Sequence, residues 1–143
     1  MVKVLQKGSI EPQMDADERR FQGINRVTEQ VIGAAMRVST VLGPGFLEKP
    51  YENALVHEIG KLGLKVEQQK PVRIVYDGVV VGDYVLDLLV EGEVVIEMKA
   101  CKNIDPAHVA QTINYLKATG HHLGLILNFG NAKLQVKRLV HQL

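Results

Sequence analysis

Two carboxylates and an ammonium sit in the most apolar stretch of this 143-residue chain. Asp87 lies within Val85-Leu86-Asp87-Leu88-Leu89-Val90, and Glu97 and Lys99 lie within Val94-Val95-Ile96-Glu97-Met98-Lys99-Ala100. Runs of Val, Ile and Leu without alternation read as strands of a sheet covered on both faces. An unpaired charge in such a strand is very unfavourable, so three of them need a reason. Hard oxygen ligands without histidine or cysteine suit Mg²⁺ or Mn²⁺ better than zinc. Such an ion lowers the pKa of a bound water and neutralises charge on a phosphate. Lys99 would then position the attacking water or stabilise charge developing on the phosphoryl group. The competing arrangement is an internal Glu97–Lys99–Asp87 ion-pair network with no catalysis.

The three groups can cooperate only if they share a sheet face. Glu97 and Lys99 do so automatically, being two apart on one strand. Asp87 depends on the turn at Glu91-Gly92. A two-residue loop would pair Asp87 with Ile96 and send Glu97 to the opposite face. A three-residue connection with Gly92 in the left-handed conformation brings Asp87 to the face of Glu97, and this register is the expected one.

Other residues extend the constellation. Glu48, three before Tyr51 at the start of a helix, is a candidate third carboxylate for the metal; complementing the helix dipole is its ordinary alternative. Glu52, one turn later, competes for the same role. Gln111 and Tyr115 are four apart on a later helix and share a face, with Val109, Ile113 and Leu116 on the other. They could orient substrate phosphate or a metal-bound water, or simply form a polar stripe facing solvent. His121-His122 point to opposite sides of an extended segment and mark the start of a strand rather than a metal pair. Gly43-Pro44-Gly45 lacks the lysine of a phosphate loop. Cys101 reads as a small buried residue.

The elements that must hold these residues follow from pattern. Residues 1–22 are polar and aperiodic, with Asp15, Asp17, Glu18, Arg19 and Arg20 clustered, and read as a tail or short arm preceding one domain over residues 23–143. Ile24, Val27, Val31, Ala35, Val38 and Leu42 make one apolar helical stripe that ends at Gly43-Pro44-Gly45. A second helix covers roughly Leu47 to Lys61, with Pro50 tolerated in its first turn. Val72, Ile74 and Tyr76 alternate up to Asp77-Gly78, a hairpin signal, and Val79 continues toward the two central strands. Asp105-Pro106 starts a helix that stops at Gly120. Leu123 to Leu127 reads as a buried strand and Leu134, Val136 and Arg138 as a less buried one. The fold class is α/β: helices, an antiparallel meander, a helix, then strands.

Composition sets limits. Hydrophobic residues make up 46% and charged residues 23%, ordinary for a globular domain of this size. One cysteine excludes an intrachain disulfide and suits a reducing compartment, the cytoplasm. No apolar leader and no stretch of the ~18 apolar residues a membrane helix needs is visible, so no membrane partner is expected. Net charge is only +1, yet residues 48–97 carry five basic and ten acidic residues and residues 98–143 six basic and one acidic. An acidic centre beside a basic C-terminal third suits a metal site flanked by phosphate contacts.

With these residues placed, the chain resembles the GxxExxY family of the PD-(D/E)xK nuclease superfamily. The name motif stands as Gly45-Phe46-Leu47-Glu48-Lys49-Pro50-Tyr51. The segments from Asp87 to Gly92, Val95 to Ala100, Gln111 to Gly120 and Leu127 to Gly130 are also similar, so the likeness spans about Ile24 to Val140. Leu86 stands where the superfamily's name pattern has proline, and Pro50 is unusual inside the motif. The resemblance implies a restriction-endonuclease-like core, a mixed central sheet flanked by helices. It implies that Asp87, Glu97 and Lys99 occupy the catalytic positions, that Glu48 matches the helix acid, and that Gln111 and Tyr115 match a substrate-positioning QxxxY element. The implied activity is Mg²⁺- or Mn²⁺-dependent hydrolysis of phosphodiester bonds in DNA, with RNA as the other substrate. A homodimer would let so small a nuclease cut both strands. The alternative is a non-catalytic nuclease-fold module that binds nucleic acid or protein.

Overall fold

A computed structural model of the chain describes residues 15–142. Helix α1 (Ala16–Leu42) begins where the sequence suggested an arm. The Asp15 carboxylate accepts the Glu18 amide at 2.8 Å, and Asp17 and Glu18 occupy the first turn. The cluster of charges is therefore a capped and dipole-matched helix start, which the absence of an apolar stripe had hidden. Residues 16–22 are α1's exposed first turns, and residues 1–14 of the expected arm lie outside the described residues.

Helix α2 (Glu48–Lys61) follows after a short connection laced by one side chain. The Tyr51 hydroxyl donates to the Gly43 carbonyl at 2.6 Å and accepts the Phe46 amide at 3.2 Å. Its ring stacks on Phe129 with centroids 4.8 Å apart. Tyr51 thus fixes the loop against the helix.

Strands β1 (Val66–Tyr76) and β2 (Val79–Val90) form a long hairpin. Its two turn residues, Asp77 and Gly78, have φ 53° and 76°, the left-handed pair whose twist matches that of the strands. Then come β3 (Val94–Lys99), α3 (Pro106–Thr119), β4 (Leu123–Asn128) and β5 (Gln135–Val140). Asp105 and His108 cap α3 reciprocally, and Gly120 at φ 74° ends it.

The sheet order is β1-β2-β3-β4-β5, antiparallel except for the β3–β4 pair that α3 connects. This is the mixed sheet flanked by helices that the sequence led one to expect. Helices α1 and α2 cover one face, packing on Leu88, Val90, Val94, Ile96, Met98, Leu123, Leu125 and Leu127. Tyr115 and Leu116 of α3 cover the other, over Leu86, Leu89, Val95, Ile126 and Leu139. Burial on both faces explains the unalternated apolar runs.

The chain leaving β3 is pinned from β4. Buried Asn128 accepts the Cys101 and Gly130 amides, each at 3.0 Å, and donates to Gln135 at 3.0 Å. A Cβ at Gly130 would lie 2.1 Å from the Cys101 carbonyl oxygen, so only glycine lets the two segments pass.

Candidate active site

The loop between β2 and β3 has three residues, 91–93. Glu91 and Gly92 are left-handed, at φ 54° and 65°, and the Glu93 amide donates to the Val90 carbonyl at 3.0 Å. The pairs Val90–Val94, Leu89–Val95 and Leu88–Ile96 follow. One more step in this register sets Asp87 opposite Glu97, as the odd-length turn required. Glu97 and Lys99 continue the row of Val95, on the face of α3.

At that step the backbone ladder gives way to side chains. The Met98 amide donates to Asp87 Oδ2 at 2.8 Å, and the Asp87 amide donates to Glu97 Oε2 at 3.4 Å. Each carboxylate takes the place of a backbone carbonyl, so the strands part at the two acids.

The β1–β2 hairpin also turns over here. Leu88 packs with the α1/α2 layer, whereas Leu86, two residues away, packs with α3. Register is kept, with Gln68 opposite Leu88 and Lys70 opposite Leu86. The intervening Gln69 has φ 54°, a conformation uncommon for a side-chain-bearing residue in a strand.

A third acid approaches from α2, and it is Glu52. Its residue is 2% exposed, and it accepts from Gln68 Nε2 at 2.6 Å, Gln69 Nε2 at 3.0 Å and Lys49 Nζ at 3.0 Å. Glu48 is exposed at the helix start and makes no hydrogen bond or ion pair with another described residue. One turn of helix separates them, and only the later acid lies on the buried stripe with Tyr51 and Leu55. Gln68 and Gln69 were missed in sequence; two adjacent amides inside a strand were the only signal.

Electrostatics set these carboxylates apart. Burial raises Glu97 to about 8, aided by the charge of Asp87. Burial likewise raises Asp87, against the lowering effect of the Met98 amide. Neither acid is in an ion pair with a described lysine or arginine; Lys99, half-buried at the end of β3, acts on both through its charge alone, and burial outweighs it. The internal ion-pair network weighed from the sequence is therefore not what forms. Among the described residues no three acidic, histidine or cysteine side chains converge closely enough to enclose a metal ion.

The two α3 residues part company. Tyr115 is buried beside Leu116, its ring 4.7 Å from that of Tyr84, and desolvation plus the charge of Glu97 push it up to about 12. Gln111 is exposed, with no bond to a described residue. The expected split of the helix, with Gln111 and Tyr115 opposite Val109, Ile113 and Leu116, is incorrect. The wide α3 face packed on the sheet includes Tyr115 together with Val109 and Ile113, because a helix lying flat buries more than one narrow stripe.

Comparison with known families agrees with this layout: the family model described as the PD-(D/E)XK nuclease superfamily matches residues 25–139. The chain belongs to the PD-(D/E)XK nuclease superfamily. No curated protein and no solved structure matches it. PD-(D/E)XK nucleases generally use divalent metals, and the donor set here fits one. Two neighbouring carboxylates that resist ionisation despite the charge of Lys99 are hard oxygen ligands that a divalent ion would stabilise. No helix among the described residues is long and apolar enough to cross a membrane.

Proposed function

We propose that this PD-(D/E)XK protein is a Mg²⁺- or Mn²⁺-dependent nuclease that hydrolyses phosphodiester bonds in DNA, with RNA as the other candidate substrate. The observation that carries the reading is the buried meeting of Asp87 and Glu97 where the ladder parts, with burial outweighing the favourable charge of Lys99 at both. The GxxExxY resemblance supports the same assignment. Asp87 and Glu97 would hold the ion. When bound, the metal supplies an activated water and neutralises phosphate charge. Lys99, at the end of β3, would hold the attacking water in line or face the charge growing on the phosphoryl oxygens. Glu52 replaces Glu48 as the third acid in this reading. Tyr115 would border the site through Glu97, while the exposed Gln111 would contact the substrate backbone.

Melting temperature against Mn²⁺ tests the reading. At ten times the dissociation constant the wild type should gain about 5 °C, and Asp87→Ala should gain nothing. Lys99→Ala should keep the Mn²⁺ shift yet cut DNA about 100-fold or more slowly. A wild type that neither responds to either ion at millimolar concentration nor cuts single- or double-stranded nucleic acid would leave the non-catalytic binding module.

A further inference from the structure

In a regular strand neighbouring side chains point to opposite faces. Gln68 and Gln69 do not: both reach Glu52. The left-handed backbone of Gln69, at φ 54°, is what re-aims its side chain. Its Nε2 contacts Glu52 Oε1 at 3.1 Å and Oε2 at 3.0 Å, and also Asp87 Oδ1 at 3.4 Å. One amide thus touches two carboxylates on different elements, α2 and β2, at the step where the hairpin turns over. A strained residue held against two acids is better explained by what it holds than by the strand it interrupts.

We infer that Gln69 is a positioning residue: its carboxamide couples Glu52 to Asp87 and holds the helix acid beside the pair that would bind a divalent ion. This rests on the metal-dependent reading above. A single donor group separates the oxygens of Glu52 and Asp87, which keeps two acids adjacent without a cation between them. Arrival of the ion would let Glu52 exchange an amide partner for the metal or for one of its waters. Gln68, which binds Glu52 and Asn53 but not Asp87, orients the helix acid without this link.

The test is Mn²⁺ binding, read from the loss of the free-ion paramagnetic resonance signal. Gln69→Gly accepts the left-handed backbone at no steric penalty, so the fold is kept and any fall in its metal-free melting temperature reports the lost amide contacts. Its Mn²⁺ dissociation constant should nevertheless rise about tenfold. Gln69→Asn, which tolerates the same backbone but is one methylene shorter, should show the same loss. Glu52→Gln should weaken Mn²⁺ binding in the wild type and add little in the Gln69→Gly background. Two variants binding Mn²⁺ within twofold of a wild type whose binding Asp87→Ala abolishes would overturn this inference and leave the nuclease reading intact. A wild type that binds no Mn²⁺ would overturn both.

Discussion

In the metal-free protein Glu97 keeps its proton up to about pH 8, because burial and then the charge of Asp87 penalise its ionised form. Its ordinary value is 4.5, so between those limits the folded state binds more proton than the unfolded chain. Stability from this group is complete below pH 4.5 and is lost as pH rises toward 8. Asp87, also raised, acts with the same sign. Urea unfolding without metal should therefore lose on the order of 3 kcal/mol between pH 5 and pH 8. Glu97→Gln should flatten most of that slope. A slope unchanged in the variant would mean that Glu97 is not the group responsible. Added Mn²⁺ should restore stability most at the alkaline end, since binding displaces the proton.

The strands and the loop after them depend on one another through close backbone passage. Gly130 lies against Cys101, two residues beyond Lys99, and Asn128 bonds both segments. Gly130→Ala should destabilise by about 2–4 kcal/mol, measured by chemical denaturation, since the clash is with backbone rather than a flexible side-chain end. It should also slow cutting by shifting Lys99. Most elements were legible because each carries its own punctuation: Asp105-Pro106 and Gly120 for α3, Asp77-Gly78 for the hairpin, Gly43 after α1. The start of α1 was not. Its first two turns have no apolar side to read, and only the Asp15 cap marks them.

Across the molecule the charges divide. Lys102, in the loop after β3, and Lys133, in the loop after β4, project from the end of the sheet where Lys99 stands. Asn131 ties these loops by donating to the Lys102 carbonyl at 2.8 Å. Both lysines are exposed and pair with no described carboxylate. In the proposed nuclease reading they would receive phosphates beside the acidic centre. Lys102→Ala combined with Lys133→Ala should weaken DNA binding by about tenfold and reduce the slope of log affinity against log salt by about 2, with the metal-induced melting shift unchanged. An unaltered salt slope would place the nucleic acid elsewhere.

Sequence alone singled out the charged residues inside the buried strands and the sheet that carries them. Charges inside unalternated apolar runs are informative before any fold is known, because burial makes them unaffordable without a purpose. The glycine at position 92 even selected the turn that sets Asp87 against Glu97. Tertiary structure decided what spacing could not: that Glu52 rather than Glu48 faces the pair, and that Tyr115 is buried while Gln111 is not. Helical periodicity gives the angle between residues, but which side of a helix meets the sheet is set only when the layers pack. Gln69 lay furthest from reach, since a left-handed residue inside a strand is imposed by partners distant in sequence, not by its own type.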